Sequence, residues 1–306
     1  MDANLTEAGS SYARPNNANP PVLTVTNEGA KKRLAMIATR TGPLELSGKL
    51  HCDLFQQDKP LITGVEMQIK MSRSRTNQCF CAATEANLPK VVIRNPRLLV
   101  RKYEPSPMFL NSVAKTLLSK TVKYHIERVS MRQITFPAGL QSALWNNVAC
   151  GQIPKTLILG VVKSTSFVGT ATETPFNFAH HNLAFLSAEI DGTIYPSQGY
   201  TMDFPSGQSL QAYEGLLDTL ERLNEPTGEL PFDRKMYEEG FVLYGFDFTV
   251  SHTGRGALSL IRNGNLNITF RFKEPLTSAV VAVGMLTYDN TIQVNNNRQV
   301  IFDYAP

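Results

Sequence analysis

The chain is short of charge, of cysteine and of long apolar runs. Only 18% of its 306 residues are charged, against about a quarter in an average globular chain, and 30 basic residues against 26 acidic ones leave a net charge of +4. Basic clusters occur only at Lys31-Lys32-Arg33, Arg73 to Arg75 and Arg94 to Lys102, and runs of this kind are read as solvated faces rather than as a dedicated nucleic-acid footprint. The 4 cysteines, Cys52, Cys79, Cys81 and Cys150, are too few and too irregularly spaced for a disulfide framework. Cys79 and Cys81 fall on one face of a strand rather than in a zinc knuckle, so reduced, buried thiols are expected. The longest apolar run, Ser278 to Tyr288, is far shorter than the ~20 residues of a membrane helix. Met1 to Asn19 lacks the charged, then apolar, then small order of a signal peptide, and the expectation is a soluble intracellular chain with no membrane span.

Chemistry is equally sparse. There is no Gly-x-Ser-x-Gly elbow to activate a serine. His180-His181 beside Asn182 is the most tempting pair, but neighbours in a strand point to opposite faces and cannot easily share a metal. Gly254-Arg255-Gly256 and Asn263-Gly264-Asn265 read as turns rather than phosphate loops, because no helix follows to hold an anion. Asp247, inside an aromatic strand, reads as a satisfied polar position at a bulge or interface. No catalytic residue, cofactor or metal site is expected.

What is present is a succession of strands. The stretch from Pro154 to Phe204 holds the apolar run Leu157 to Val162, then Pro175-Phe176-Asn177-Phe178, then a second run from Leu183 to Ile190 closed by Asp191-Gly192, a strong hairpin signal. Phe176 and Phe178 are expected to pack on one face. Val242, Tyr244, Phe246 and Phe248 form one strand face, and Leu266, Ile268, Phe270 and Phe272 alternate with Asn267, Thr269, Arg271 and Lys273 in another. Each such Phe, fully buried, contributes about 2–3 kcal/mol. Ala279 to Leu286 is apolar on both faces, as a central strand requires, and Val300-Ile301-Phe302 makes a short final run.

Upstream, residues 1–43 read as a flexible arm, and Leu44 to Leu61 and Val65 to Met71 alternate like a hairpin. Lys90 to Tyr103 reads as a strand broken at Pro96, Pro107 to Lys120 as a short helix, Lys123 to Phe136 as a strand, and Ser142 to Asn147 as a loop carrying Trp145. A second helix begins near Ser209, with Leu210, Tyr213, Leu217, Leu220 and Leu223 as its apolar stripe on the sheet and Glu214, Asp218, Glu221 and Arg222 opposite. About eight strands from Lys90 onward, with helices in long loops and no βαβ alternation, make an all-β sandwich of jelly-roll type. An alternative function for such a sandwich is a carbohydrate-binding module using Trp145 and Tyr195 as exposed platforms.

Several segments, in order, carry a resemblance: Leu98-Leu99-Val100-Arg101-Lys102, Gly151-Gln152-Ile153-Pro154-Lys155, Pro175-Phe176-Asn177-Phe178, Asp191-Gly192, Phe246-Asp247-Phe248-Thr249, Arg262-Asn263-Gly264-Asn265-Leu266 and Val300-Ile301-Phe302-Asp303-Tyr304. Together they resemble the double jelly-roll major capsid proteins of Maverick/Polinton-type elements and adintovirus-like viruses. The resemblance implies two jelly rolls per chain, three chains per pseudo-hexameric capsomer, and an icosahedral shell around DNA. Its partners are then other copies of itself, other capsid proteins and non-specifically packaged DNA, in a virion assembled inside a host cell. Family members carry most of a first roll before the segment resembling His51 to Gln57. Residues 44–85 are accordingly expected to be remnant strands of that roll, in a truncated or genome-integrated copy, and 86–306 the C-terminal roll. Pro175, Phe176, Asn177, Phe178, Asp191, Gly192, Phe246, Asp247, Phe248, Phe270 and Phe272 are its fold and assembly candidates.

Overall fold

The computed structural model describes residues 45–74, 92–170, 173–223, 232, 234–249 and 260–304. The chain is an all-β jelly roll, and its strand order establishes this directly. The strands are β1 (Val122–Phe136), β2 (Ser142–Gln152), β3 (Thr156–Lys163), β4 (Leu183–Ile190), β5 (Thr193–Thr201), β6 (Leu243–Asp247), β7 (Asn263–Phe272), β8 (Val280–Val294) and the short β9 (Val300–Phe302). One sheet runs β1-β8-β3-β6, with β9 alongside β8, and the other runs β2-β7-β4-β5. The nested partners β1 with β8, β2 with β7, β3 with β6 and β4 with β5 are those of one long antiparallel ribbon wound into a two-sheet roll.

The tip of that ribbon is set by Asp191-Gly192. Asp191 (φ 46°) and Gly192 (φ 85°) both take positive φ, as a two-residue type I′ turn demands, and Ile190 faces Thr193 across it. The core lies between the sheets. Leu266, Ile268, Phe270 and Phe272 of β7 all point inward, and Phe270 meets Phe136 edge-on at 5.0 Å. Val242, Tyr244, Phe246 and Phe248 also share the buried face, where Phe246 packs on Tyr200 and Phe248 on Tyr195. β8 begins with Val280, Val281 and Ala282 all buried and then alternates buried with half-buried residues, so the apolar run from Ala279 to Leu286 is fully covered on both faces only at Val280 to Ala282.

Among the described residues, short helices lie at α1 (Pro107–Leu117), α2 (Ser164–Val168), α3 (Leu210–Thr219) and α4 (Arg234–Gly240). Ser106 caps α1 by accepting the Phe109 N–H at 3.4 Å, with Pro107 in the first turn. α3 turns an unexpected face to the sheet. Its buried residues are Ala212, Leu216 and Thr219, whereas Leu210, Leu220 and Leu223 are exposed. The cause is close approach: a Cβ on Gly245 of β6 would lie 2.7 Å from the Gly215 carbonyl, so where the helix crosses Gly245 only small side chains fit, while Leu216 is buried beside that crossing.

Other local expectations are corrected. Ser142 to Asn147 is not a loop but the first half of β2. Asn147, at φ 54°, sits where the register shifts between Trp145 and Ala149, and its N–H donates to Asn267 Oδ1 at 3.0 Å. A bulge therefore absorbs the Asn pair that imitates a turn. Lys90 to Tyr103 forms no strand among its described residues, and 45–74 hold only a 3₁₀ turn at Asp53–Phe55 in place of the expected hairpin.

The chain divides into two compact units. The larger includes 129–287 and contains the body of the roll; the smaller includes 46–73, 92–128 and 288–304. Within the smaller unit, Tyr124, Ile292 and Val294 form a core against which Leu54, Ile62 and Val65 pack. These residues of the expected hairpin are thus used as individual contacts. The Tyr124 hydroxyl donates to the Pro60 carbonyl and accepts from the Ile62 N–H, both at 3.2 Å. Beside it, Asp53 Oδ2 accepts the Glu127 N–H at 2.9 Å, and Gln57 Nε2 donates to the His125 carbonyl at 2.8 Å. Side chains of a turn stand in for a neighbouring strand and cover that part of the β1 edge.

Candidate functional site

The anticipated residues separate into internal scaffold and surface. Asp191 accepts the Asn265 N–H at 3.0 Å, tying the β4–β5 turn to the start of β7, so Asn263-Gly264-Asn265 is strand rather than turn. Asp247 ends β6 and accepts the Thr249 N–H at 2.8 Å. Phe246, Phe248, Phe270 and Phe272 are core.

Pro175 to Phe178 divides sharply. Phe178 bridges to Phe241, its N–H donating to the Gly240 carbonyl at 2.9 Å and its carbonyl accepting the Val242 N–H at 3.0 Å. Its ring fills the space over Gly160, where a Cβ would lie 2.5 Å from Phe178 Cδ1. Phe176 is instead 71% exposed, which overturns the expectation that both rings pack on one face. Pro175 and Asn177 are half-buried, and the Asn177 N–H donates to the Thr174 carbonyl at 3.4 Å.

The histidine pair lies in a turn before β4, not in a strand, so alternation does not govern it. His181 (φ 46°) and Asn182 (φ 51°) are both left-handed. His180 stacks on Phe204 at 4.5 Å, and its Nδ1 accepts the Asn182 N–H at 3.0 Å. Burial, with repulsion from His180 and Lys163, pushes the His181 pKa down to about 4. Burial lowers that of His180 as well, against the pull of Glu238. Both rings are neutral near pH 7. Near them, burial opposes ionisation of Glu173, but hydrogen bonds from Ser166 and Thr165, both at 2.7 Å, and the Lys163 ammonium outweigh it and hold the carboxyl below its usual range. Among the described residues no three His, Cys, Asp or Glu side chains gather as a metal-ligand set.

Two further expectations change. Trp145 is 6% exposed and belongs to the core, and Tyr195 packs edge-on against Phe248 at 5.4 Å, so the aromatic platform for a sugar is not formed. Cys52 and Cys150 are exposed free thiols rather than buried ones. The expected N-terminal arm, Cys79, Cys81 and Gly254 to Gly256 lie outside the described residues.

The feature that sequence reasoning missed is a surface. Every residue from 92 to 112 is exposed, including Val92, Ile93, Leu98, Leu99, Val100, Tyr103, Met108 and Phe109. Arg94, Arg97, Arg101 and Lys102 are interspersed among them. An apolar groove of about 300 Å³ runs between α1 and the start of β1, lined by Phe109, Val113, Leu117 and Val122 among others. Single exposed apolar side chains are ordinary, but an exposed run of this length makes 92–112 the candidate interaction surface of the chain. The signal was available in the sequence: Leu98-Leu99-Val100 is contiguous rather than alternating, and Pro96 and flanking Arg residues disfavour a buried central strand. No helix among the described residues is long and apolar enough to cross a membrane.

No family model matches the chain. Over 267 residues it is 20% identical to an uncharacterized protein of Caenorhabditis elegans, covering 86% of this chain and 64% of that one. Among solved structures it is similar to a chain of the Sputnik virophage (TM-score 0.38, 14% identity, 61% of this chain and 40% of that one). It is also similar to a chain of the PBCV-1 virus capsid (TM-score 0.37, 11% identity, 64% and 55%). The mavirus major capsid protein is a further match (TM-score 0.31, 14% identity, 60% and 41%). The chain spans less than two-thirds of the length of each of these proteins.

Proposed function

We propose that this chain is a structural, capsid-type building block that associates with copies of itself to form a shell around DNA. The observation that carries the reading is the exposed apolar stretch 92–112 on a chain whose roll is already internally filled by aromatic and aliphatic side chains. A closed roll with a packed interior has no need of that surface for its own stability, so the surface is there for a partner. The ordered motifs from Leu98 to Tyr304 favour the Maverick/Polinton type of capsid protein, with three chains to a capsomer, in a virion. In this reading 86–306 is the C-terminal roll and 44–85 belong with a preceding one, and the gene is a copy integrated in a genome. DNA is held without sequence preference.

Size-exclusion chromatography with light scattering, followed by negative-stain microscopy, tests the proposal. Discrete multimers, with trimers among them, are expected; a strictly monomeric species at high concentration overturns it.

A further inference from the structure

We infer that the exposed basic segment 92–103 and the outward face of α3 are the two halves of one contact between successive copies of the chain. This rests on the self-association just proposed and adds which residues meet.

The segment offers Ile93 (64% exposed), Leu98 (53%) and Leu99 (92%) together with Arg94, Arg97, Arg101 and Lys102. The helix offers the complement. Residues spaced by three or four lie on one side of a helix, so Leu210, Glu214, Leu217 and Asp218 form a single outward face, opposite the buried Ala212, Leu216 and Thr219, and Glu221 follows in the left-handed turn two residues past the end of α3. Leu210 is 48% exposed, Glu214 and Glu221 are exposed, and Leu217 and Asp218 are half-buried. Arg222 stands beside Glu221, yet the face along α3 itself carries only acidic charge.

Each half exposes leucine, and the halves carry opposite charge. The exposed charge of each disfavours pairing with its own kind, because like charges brought together across an interface cost several kcal/mol. A basic apolar segment on an acidic apolar helix face is therefore the favoured meeting, and because the two halves are different surfaces the contact is heterologous. Head-to-tail contacts of this kind close into a ring when the rotation allows it and otherwise form open filaments. The apolar side chains supply the driving force, while the charges set which surfaces meet and how fast.

Charge reversal tests this in the full chain. Arg97→Glu with Arg101→Glu, and separately Glu214→Lys with Glu221→Lys, are each expected to weaken association by about tenfold or more in sedimentation or light scattering. All four substitutions together are expected to restore it, since the charges again match. Circular dichroism checks that each variant retains its strands, and exposure of all four positions favours that. A parent chain that is monomeric removes both the inference and the self-association beneath it. A parent that associates, with reversed pairs that associate equally well or a combined variant that fails to recover, overturns the inference alone. Loss with the arginine pair but not the glutamate pair also overturns it, and assigns the basic segment to another surface or to nucleic acid.

Discussion

β7 and the segment 92–103 are both rich in large apolar side chains and have opposite fates. Leu266, Ile268 and Phe270 are fully buried, whereas Leu99 is 92% exposed and Val100 60%. β7 alternates apolar with polar residues and lies between β2 and β4, which satisfy its backbone on both sides. The segment 92–103 does not alternate, is interrupted at Pro96, and has basic residues between its apolar ones. Apolar content alone therefore does not decide burial within a chain. It decides burial only where the pattern also lets the backbone join a ladder. Where it does not, the apolar side chains stay exposed on the chain, as Leu99 and Val100 do.

The contrast can be broken at its strong end. Phe270→Ala removes a ring that is 0% exposed and packed against Phe136, and is expected to cost about 3–5 kcal/mol in denaturant unfolding. A loss below about 1 kcal/mol would mean that β7 does not anchor the core.

A smaller effect is expected in the turn before β4. His181 has its pKa lowered from 6.5 to about 4 in the folded chain, so the unfolded chain binds its proton first as the pH falls. Stability is therefore complete above about pH 6.5 and declines between 6.5 and 4, by on the order of 2 kcal/mol after allowance for solvent screening. Glu173, whose pKa is also lowered, adds a loss of the same sign at still lower pH. Unfolding free energies at pH 7 and pH 4.5 should differ less in His181→Gln than in the parent; an unchanged difference would remove His181 as the cause.

The smallest effect sharpens the surface end. Phe176→Ala is expected to change monomer stability by no more than about 0.5 kcal/mol, because its ring is 71% exposed. A loss as large as that of Phe270→Ala would place Phe176 in a core after all.

Much of the roll was legible because its strands carry period-two alternation and its tip carries Asp-Gly. The residues that misled were those whose local pattern has two physical solutions. Asn146-Asn147 can make a turn or a bulge, and the presence of β7 opposite selects the bulge. Leu44 to Met71 alternates like a hairpin, but Leu54, Ile62 and Val65 pack against Tyr124, Ile292 and Val294 without forming strands. On α3 the size of the side chains outweighs the number of leucines, and Leu210, Leu220 and Leu223 stay exposed while Ala212, Leu216 and Thr219 face the sheet. Gly245 lies against Thr219 and the Gly215 carbonyl, and Tyr200 against Gly215, so no side chain larger than those present fits at that crossing. Of the candidate residues, the internal aromatics could be placed from alternation, whereas Phe176 and Phe178 could not be told apart, since both occur in one Pro-bounded loop.

The amino-acid sequence by itself determined the strand class, most strand positions, the β4–β5 turn and the inward faces of β6 and β7, because these follow from side-chain alternation and from backbone conformations that neighbouring residues alone permit. Only the tertiary structure decided the order of strands in the two sheets, the face by which α3 is held, the burial of Trp145 and the exposure of 92–112. Those depend on which distant segment supplies a ladder or a gap of the right size, and no local pattern encodes that partner.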